Sequence, residues 1–436
     1  MSGIAKLLAS LGHRVTGSDL KPSLTLDVLG DLGIEVWAGS RPDRVRSANL
    51  VVRSSAVPMK DPEVQAAIEA GIQVWERPQL LAAFTSTLPA IGFTGTHGKT
   101  TSTALAVSAL RASGHDPTFL VGGDLVDLNT GAHLGDRDRF VLEADEAFGT
   151  FIDLRLAALM ITNIDNDHLD FYETSDALFE QFVSVAERVE GPVVVCIDDP
   201  GAARLADRVE VATYGMTDDA DYRVSDVRHG NWEVSFTLST PSGDRHDVVV
   251  PKPGSHIALN AAGVLALFAE LGEDLSAAAA GLADFGGVKR RFEVRGIVNG
   301  VTVVDDYAHH PTEIAATLKA ARLGSWKTVW AVFQPHRFSR TLEHAAEFGE
   351  ALLEADRVVL TDIYPAGESP VPGVTSALVA NGVVEGGGAV EHLEHLSDVS
   401  AFLVERVGAG DLVLLLGAGD VNSIAEPLTA ALGART

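Results

Sequence analysis

Cysteine is almost missing from this chain: among 436 residues there is one, Cys196. A single cysteine excludes an intrachain disulfide framework and a cysteine-rich zinc site, and leaves a buried structural thiol or, less ordinarily, a reactive one. Positive charge is also scarce. Thirty-three Lys and Arg face sixty Asp and Glu, for a formal charge of −27, which excludes a general nucleic-acid or anionic-membrane surface but leaves room for a local basic pocket. No run of about 18 uncharged apolar residues is present, so no membrane insertion is expected. The opening Met1-Ser2-Gly3-Ile4-Ala5-Lys6 lacks the basic and apolar regions of a secretion signal, and a cytoplasmic protein is expected. Alanine and glycine follow no fixed period, so repeats are not indicated.

What is present suffices for real cores: 46% of the residues are hydrophobic. The length exceeds what one hydrophobic core spans, and two or three domains are expected. Short apolar runs alternate with helix-like stretches, which points to α/β architecture with parallel sheets. Ile4–Leu11 is apolar at helical spacing, Arg14–Thr16 reads as a strand ending at Gly17-Ser18-Asp19, and Leu50–Val52 as a strand ending at Arg53-Ser54-Ser55.

The strongest chemical signal is Gly95-Thr96-His97-Gly98-Lys99-Thr100-Thr101, placed between the apolar Ala90–Phe93 and a helix-like Thr101–Arg111. Small loop residues let backbone N–H groups approach phosphates, a helix N-terminus adds its dipole, Lys99 reaches the terminal phosphates and Thr100 can ligate Mg²⁺. The wider phosphate-loop pattern would put its first glycine at position 93, which is Phe93. Two further strands end in polar groups: Phe140–Leu142 in Glu143-Ala144-Asp145, and Leu159–Ile164 in Asp165-Asn166-Asp167-His168-Leu169-Asp170. Ligands of open α/β sheets sit beyond the carboxyl ends of strands. Thr100 and Glu143 suit a Mg²⁺ site; His168 suits a second cation or a γ-phosphate contact, against the alternative of a solvated acidic turn.

Residues 220–250 alternate as an inserted or flanking β element before the helical Leu259–Leu271. Farther on, Val301–Val304 runs into Asp305-Asp306-Tyr307-Ala308-His309-His310-Pro311, and Val329–Phe333 into Gln334-Pro335-His336-Arg337. Adjacent histidines point in different directions, so nucleotide or substrate contact is favoured there over zinc. Arg337 and Arg340 suit a clamp on a carboxylate or phosphate, a surface ion pair being the alternative. Leu412–Leu416 leads into Gly417-Ala418-Gly419-Asp420, an incomplete dinucleotide fingerprint that reads as a turn or a phosphate contact.

Taken together these segments resemble the ATP-dependent Mur ligases of peptidoglycan synthesis. The likeness runs through Met1–Ala5, Gly17–Asp19, Ser54–Val57, Gly95–Thr101, Glu143–Glu146, Thr162–Ile164 with Asp167–Asp170, Gly287–Phe292, Asp305–Glu313, Phe333–Thr341 and Gly417–Asp420, in the family's order. It implies three α/β domains: an N-terminal Rossmann-like UDP-substrate domain (1–86), a central P-loop ATPase-type parallel sheet with a small β element (87–290), and a C-terminal Rossmann-like ligase domain (291–436) that closes over the nucleotide. Within the family the pattern resembles the branch that joins L-alanine to the carboxylate of UDP-N-acetylmuramate through an acyl phosphate. The implied partners are ATP, Mg²⁺, UDP-N-acetylmuramate and L-alanine, in a monomer or homodimer.

The resemblance also implies roles. Gly95, Thr96, His97, Gly98, Lys99, Thr100 and Thr101 would bind ATP, with Asn260, Arg291, Asp305 and His309 as further nucleotide-side contacts. Thr100, Glu143 and His168 would hold metal; Ser18, Asp19, Ser54 and Ser55 would meet the uridine diphosphate. His336, Arg337 and Arg340 would form the acceptor pocket, and Lys99, His168, Arg337 and Arg340 would carry catalysis. The chain departs from the family at its start and around His256, and Asn166 and Ala147-Phe148 also differ from the family's commonest forms. The family's opening strand and Gly-x-Gly-Gly-x-Gly loop have no counterpart before Met1, so the first domain is expected without its first strand, either because the start lies upstream or with weakened UDP binding. His256-Ile257 stands where His-Asn is usual, leaving Asn260 as the adenine-side match. A tripeptide-recycling sibling ligase and a non-catalytic nucleotide or UDP-sugar binder are the alternatives, with a nicotinamide oxidoreductase behind them.

Overall fold

The computed structural model of the chain describes residues 1–165 and 169–435. It contains two compact units, one of Met1–Ser225, Thr237–Val248 and Leu259–Phe285, the other of Asp226–Phe236, Val249–Ala258 and Gly286–Thr436.

In the first unit the chain opens on a helix, Ser2–Ser10. Four short strands follow: β1 (Thr16–Asp19), β2 (Glu35–Ala38), β3 (Leu50–Arg53) and β4 (Gln73–Glu76). They form two separate parallel pairs, β1 with β2 and β3 with β4. Two-stranded sheets are marginal alone, and apolar packing holds this region. Ile4 and Leu7 of the first helix and Leu80, Leu81 and Phe84 of the helix Arg77–Thr85 share one buried cluster with Leu120, Phe140 and Leu142. Gly3 allows that approach, since a methyl there would lie 2.6 Å from Leu120 Cδ1. The first strand is displaced from the sequence expectation: it spans Thr16–Asp19, so Ser18 and Asp19 belong to it.

A ten-stranded sheet follows. Its strands are β5 (Ala90–Thr94), β6 (Pro117–Leu125), β7 (Thr130–His133), β8 (Asp136–Glu143), β9 (Ala158–Ile161), β10 (Val193–Cys196), β11 (Ala212–Gly215), β12 (Tyr222–His229), β13 (Val234–Ser239) and β14 (Arg245–Val250). The order is β14-β13-β12-β11-β10-β9-β5-β8-β6-β7. The β element at 220–250 is therefore not a separate flank; it lengthens the main sheet. All five residues of β5 are buried, as a central parallel strand covered on both faces requires. Phe93 is fully buried and pairs with Glu143 of β8 and Met160 of β9. Position 93 is thus a core strand position, and the glycine-containing turn begins two residues later at Gly95.

The second unit carries a six-stranded sheet of β15 (Glu293–Val298), β16 (Val301–Asp306), β17 (Val329–Phe333), β18 (Arg357–Leu360), β19 (Val390–His392) and β20 (Leu412–Leu416). Its order is β15-β16-β20-β17-β18-β19, antiparallel at β15–β16 and otherwise parallel. Leu416 pairs with both Asp306 and Phe333, and Phe333 with Leu360. The register therefore brings the carboxyl ends of β16, β20, β17 and β18 to one level, where the polar segments begin.

Candidate functional site

The turn read from sequence as a candidate phosphate loop is set by two left-handed glycines, Gly95 (φ +128) and Gly98 (φ +86), the second capping the helix Lys99–Ala112. A side chain at Gly95 would collide with Thr162 Oγ1 at 2.1 Å, and one at Gly98 would approach Asn260 Oδ1 at 2.9 Å. Glycine is needed for both the backbone angles and the space. The end of β9 ties the turn down. Thr162 Oγ1 donates to the His97 carbonyl at 2.6 Å, Asn163 Nδ2 donates to the same carbonyl at 3.0 Å, and Asn163 Oδ1 accepts from His97 N at 2.8 Å. Asp165 N donates to Thr96 Oγ1 at 2.9 Å.

Lys99 Nζ donates to the carbonyls of Gly95 (2.8 Å) and Thr96 (3.2 Å) and to both Glu146 oxygens (2.8 and 2.9 Å), with Asp145 Oδ1 3.7 Å away. Burial works against the ammonium, but Glu146 and Asp145 outweigh it and hold Lys99 above its ordinary range. Lys99 is therefore a cation at neutral pH. Glu143 accepts from Gly122 N at 2.5 Å and is hydrogen-bonded by the Thr100 side chain. Burial pushes the Glu143 carboxyl upward, the Gly122 amide opposing it and the nearby Asp145 reinforcing it. Three carboxylates, Glu143, Asp145 and Glu146, thus crowd one lysine beside the Thr100 hydroxyl. That oxygen-rich, net-negative donor set fits a hard divalent cation. Glu146 was not singled out from sequence, though its place three residues after Glu143 was a usable signal. His168 lies outside the described residues.

In the amino-terminal part, Ser18 donates to Glu63, which also accepts from Trp37 Nε1 (3.0 Å) and Arg41 N (2.6 Å). Glu63, invisible as a site residue in sequence, organises the ends of β1 and β2. Asp19 is exposed at the end of β1, and Ser54 and Ser55 follow β3 in a turn closed by Val57 N donating to the Ser54 carbonyl at 3.0 Å.

The second unit gathers its polar groups at the aligned strand ends. Asp306 accepts from Phe292 N (2.7 Å) and Ala308 N (2.8 Å), pinning the segment around Arg291 to the end of β16. Arg290 and Phe292 hold left-handed backbone angles of +61° and +45°, conformations that cost non-glycine residues energy and gather at functional sites. The guanidiniums of Arg290 and Arg291 lie 5.0 and 5.2 Å from the Tyr307 ring centre. His309 Nδ1 is 3.0 Å from the Tyr307 carbonyl, and its backbone N–H donates to Glu313 at 3.0 Å. Burial, opposed by Glu313, pulls His309 down to about 4, and burial with the Arg340 and Arg337 charges does the same to His336. Both imidazoles are neutral at pH 7. The His309 and His336 rings meet edge to face at 5.9 Å, and His336 stacks on Tyr364 at 5.6 Å with an 8° interplanar angle.

Asp305 is fully buried, with Arg290 Nε 3.4 Å and Arg295 Nη1 3.9 Å away, on a strand whose residues are buried on both faces. Burial pushes its carboxyl up to about 6. Arg337 Nε donates to Glu368 at 2.5 Å, and Gln334 Nε2 donates to Asp420 Oδ1 at 2.8 Å while its Oε1 accepts from Val421 N at 3.1 Å. Gly419 leaves room for Gln334, since a methyl there would lie 2.3 Å from Oε1. The Gly417–Asp420 loop is thus a turn locked to Gln334. Cys196 is buried and its thiol is pushed up to about 11 by that burial, the state of a structural cysteine.

Three family models match along the chain: "Mur ligase family, catalytic domain" over residues 1–87, "Mur ligase middle domain" over 93–268 and "Mur ligase, glutamate ligase domain" over 290–419. The chain is 41% identical over 443 residues to the UDP-N-acetylmuramate–L-alanine ligase of Cutibacterium acnes, spanning 99% of this chain and 93% of that protein. It is 42% identical to the protein of that name from Geotalea daltonii, spanning 98% and 94%. Among solved structures it resembles the UDP-N-acetylmuramate–alanine ligase of Thermotoga maritima, with TM-score 0.86, 26% identity and coverage of 99% and 96%. The murein peptide ligase of Psychrobacter arcticus follows with TM-score 0.72, 25% identity and coverage of 100% and 97%. A phosphate turn backed by acidic groups in one unit, arginines and neutral histidines on strand ends in the other, and matches to all three successive domain models agree: the chain belongs to the Mur ligase family.

Proposed function

We propose that this protein joins L-alanine to the carboxylate of UDP-N-acetylmuramate, driven by cleavage of ATP to ADP and phosphate, in the synthesis of peptidoglycan precursors for the cell wall. The observation that carries this is the end-to-end identity of about two residues in five with proteins named for that reaction. The TM-score of 0.86 against 0.72 favours the alanine ligase over the murein peptide ligase. The working domains are 1–86, 87–290 and 291–436. No helix of the described residues is long and apolar enough to cross a membrane, and we place the reaction in the cytoplasm, with small molecules as partners.

A carboxylate oxygen of the muramate attacks the γ-phosphorus, ADP leaves, and an acyl phosphate forms. The amine of alanine then attacks the acyl carbon, phosphate departs with the attacking oxygen, and the amine loses a proton. Gly95–Thr101 supplies backbone donors and Lys99 the positive charge that meets the transferred phosphoryl group. Reaching it requires Lys99 to exchange Glu146 for phosphate oxygens. Thr100 and Glu143 would hold Mg²⁺, joined by His168; the ion supplies neutralisation of phosphate charge. Asn260 and Arg291 serve the nucleotide, and His309, neutral, a contact on the nucleotide or substrate side. Asp305 serves by fixing Arg290. Ser18, Asp19, Ser54 and Ser55 meet the uridine diphosphate, and His336, Arg337 and Arg340 receive the amino acid.

Phosphate release measured with each component omitted tests the reading. It is expected only when ATP, Mg²⁺, UDP-N-acetylmuramate and L-alanine are all present. Release with a tripeptide but not with L-alanine would favour the recycling ligase, and release independent of UDP-N-acetylmuramate would overturn both.

A further inference from the structure

We propose that Glu368 is a positioning residue for the acceptor amino acid, acting through Arg337; this rests on the reading of Arg337 as part of the alanine pocket. Arg337 holds a left-handed backbone angle of +71° at the start of the helix Phe338–Leu352. Such an angle is unfavourable for a residue with a side chain. It persists because the segment is held from both sides. Arg337 N donates to the Tyr364 carbonyl at 2.9 Å, Tyr364 N donates to the Pro335 carbonyl at 2.8 Å, and His336 stacks on the Tyr364 ring. Glu368, four residues beyond Tyr364, completes the clasp. One carboxylate takes Arg337 Nε at 2.5 Å, Ser339 Oγ at 2.6 Å and Ser339 N at 3.0 Å.

The chemistry separates positioning from simple charge balance. Glu368 subtracts positive charge from a pocket that must attract a carboxylate, so its benefit lies in geometry. Its bond uses Nε, leaving the two terminal guanidinium nitrogens farther out along the side chain, where a carboxylate is gripped in a forked manner. The same carboxylate caps the first turn of the helix. Despite partial burial, the three donors hold Glu368 down at about 2, so it stays ionised at any pH used for assay.

The test is a double-mutant cycle with KM for L-alanine, KM for ATP, kcat and thermal midpoint measured on the full chain. Glu368→Gln keeps shape but replaces an acceptor by an amide, and is expected to raise the alanine KM roughly tenfold or more, as when a charge-assisted hydrogen bond is lost, with the ATP KM and thermal midpoint little changed. Ser339→Ala removes one donor from Glu368 and should raise the same constant less. Arg337→Lys should raise it by itself, and Glu368→Gln should add little in that background. Fully additive effects, or equal changes in both KM values with a lowered thermal midpoint, would overturn the positioning role. An Arg337→Lys enzyme with an unchanged alanine KM would instead overturn the pocket reading and the proposal with it.

Discussion

Lys99 and Arg337 are each held by a carboxylate, yet the two pairs are built differently. Lys99 is 14% exposed and its partner Glu146 1%, inside a turn whose backbone is clamped by β9. Arg337 is 36% exposed and Glu368 23%, on a strained segment clasped by a following loop. Removing one partner of a buried pair leaves an uncompensated charge and costs about 3–5 kcal/mol, whereas an exposed pair contributes about 0–1 kcal/mol to stability. Damage at the phosphate turn should therefore register in both folding and turnover, and damage at the Arg337 clasp in substrate affinity alone.

The largest expected effect follows from Lys99→Ala. Phosphate release should fall below detection, and the thermal midpoint should drop as well, because Glu146 loses the charge opposite it. An active variant would break the comparison. Gly95→Ala comes next: the added methyl meets Thr162 and the Asn163 backbone at a backbone angle unsuited to alanine. It should cost roughly 3 kcal/mol or more and be measurable in urea unfolding, with ATP affinity lost in what folds.

Asp305→Asn sharpens the comparison with a buried acid that lacks a lysine. The folded carboxyl is raised to about 6 from an ordinary 3.8, so between those values the folded state binds more protons than the unfolded one. Stability contributed by the protonated acid is then fully present below about pH 4 and is lost as pH rises through about 6. The asparagine variant should gain on the wild type across that window, by at most roughly 3 kcal/mol, with no further change above pH 7. Urea titrations at pH 4, 5, 6 and 7.5 would read this. A wild type that gains on the asparagine variant as pH rises would contradict it.

The same contrast explains what the sequence made legible. Gly95–Thr101 is contiguous and follows the apolar run Ala90–Phe93, so it could be read locally, and Phe93, where the wider pattern would put a glycine, is a buried position of β5. The end of β8 was equally readable at Glu143, while Glu146 escaped because its bond to Lys99 spans 47 residues of chain. In the second unit His309, His336 and Arg337 were recognisable from strand ends, but their partners Tyr364 and Glu368 sit in a loop with no periodic signal. Asp305 and Asp306 stand side by side, and spacing alone gave no sign that both carboxylates would be buried. The packing of the first helix against β6 and β7 had no signal in spacing.

The central claim, that the γ-phosphate goes to the muramate carboxylate before alanine arrives at the acyl carbon, is tested most directly by isotope transfer. With UDP-N-acetylmuramate carrying ¹⁸O in its carboxylate, turnover with ATP and L-alanine should deliver one labelled oxygen into each phosphate released, read by mass spectrometry. Phosphate free of label, formed together with the amide, would contradict the account.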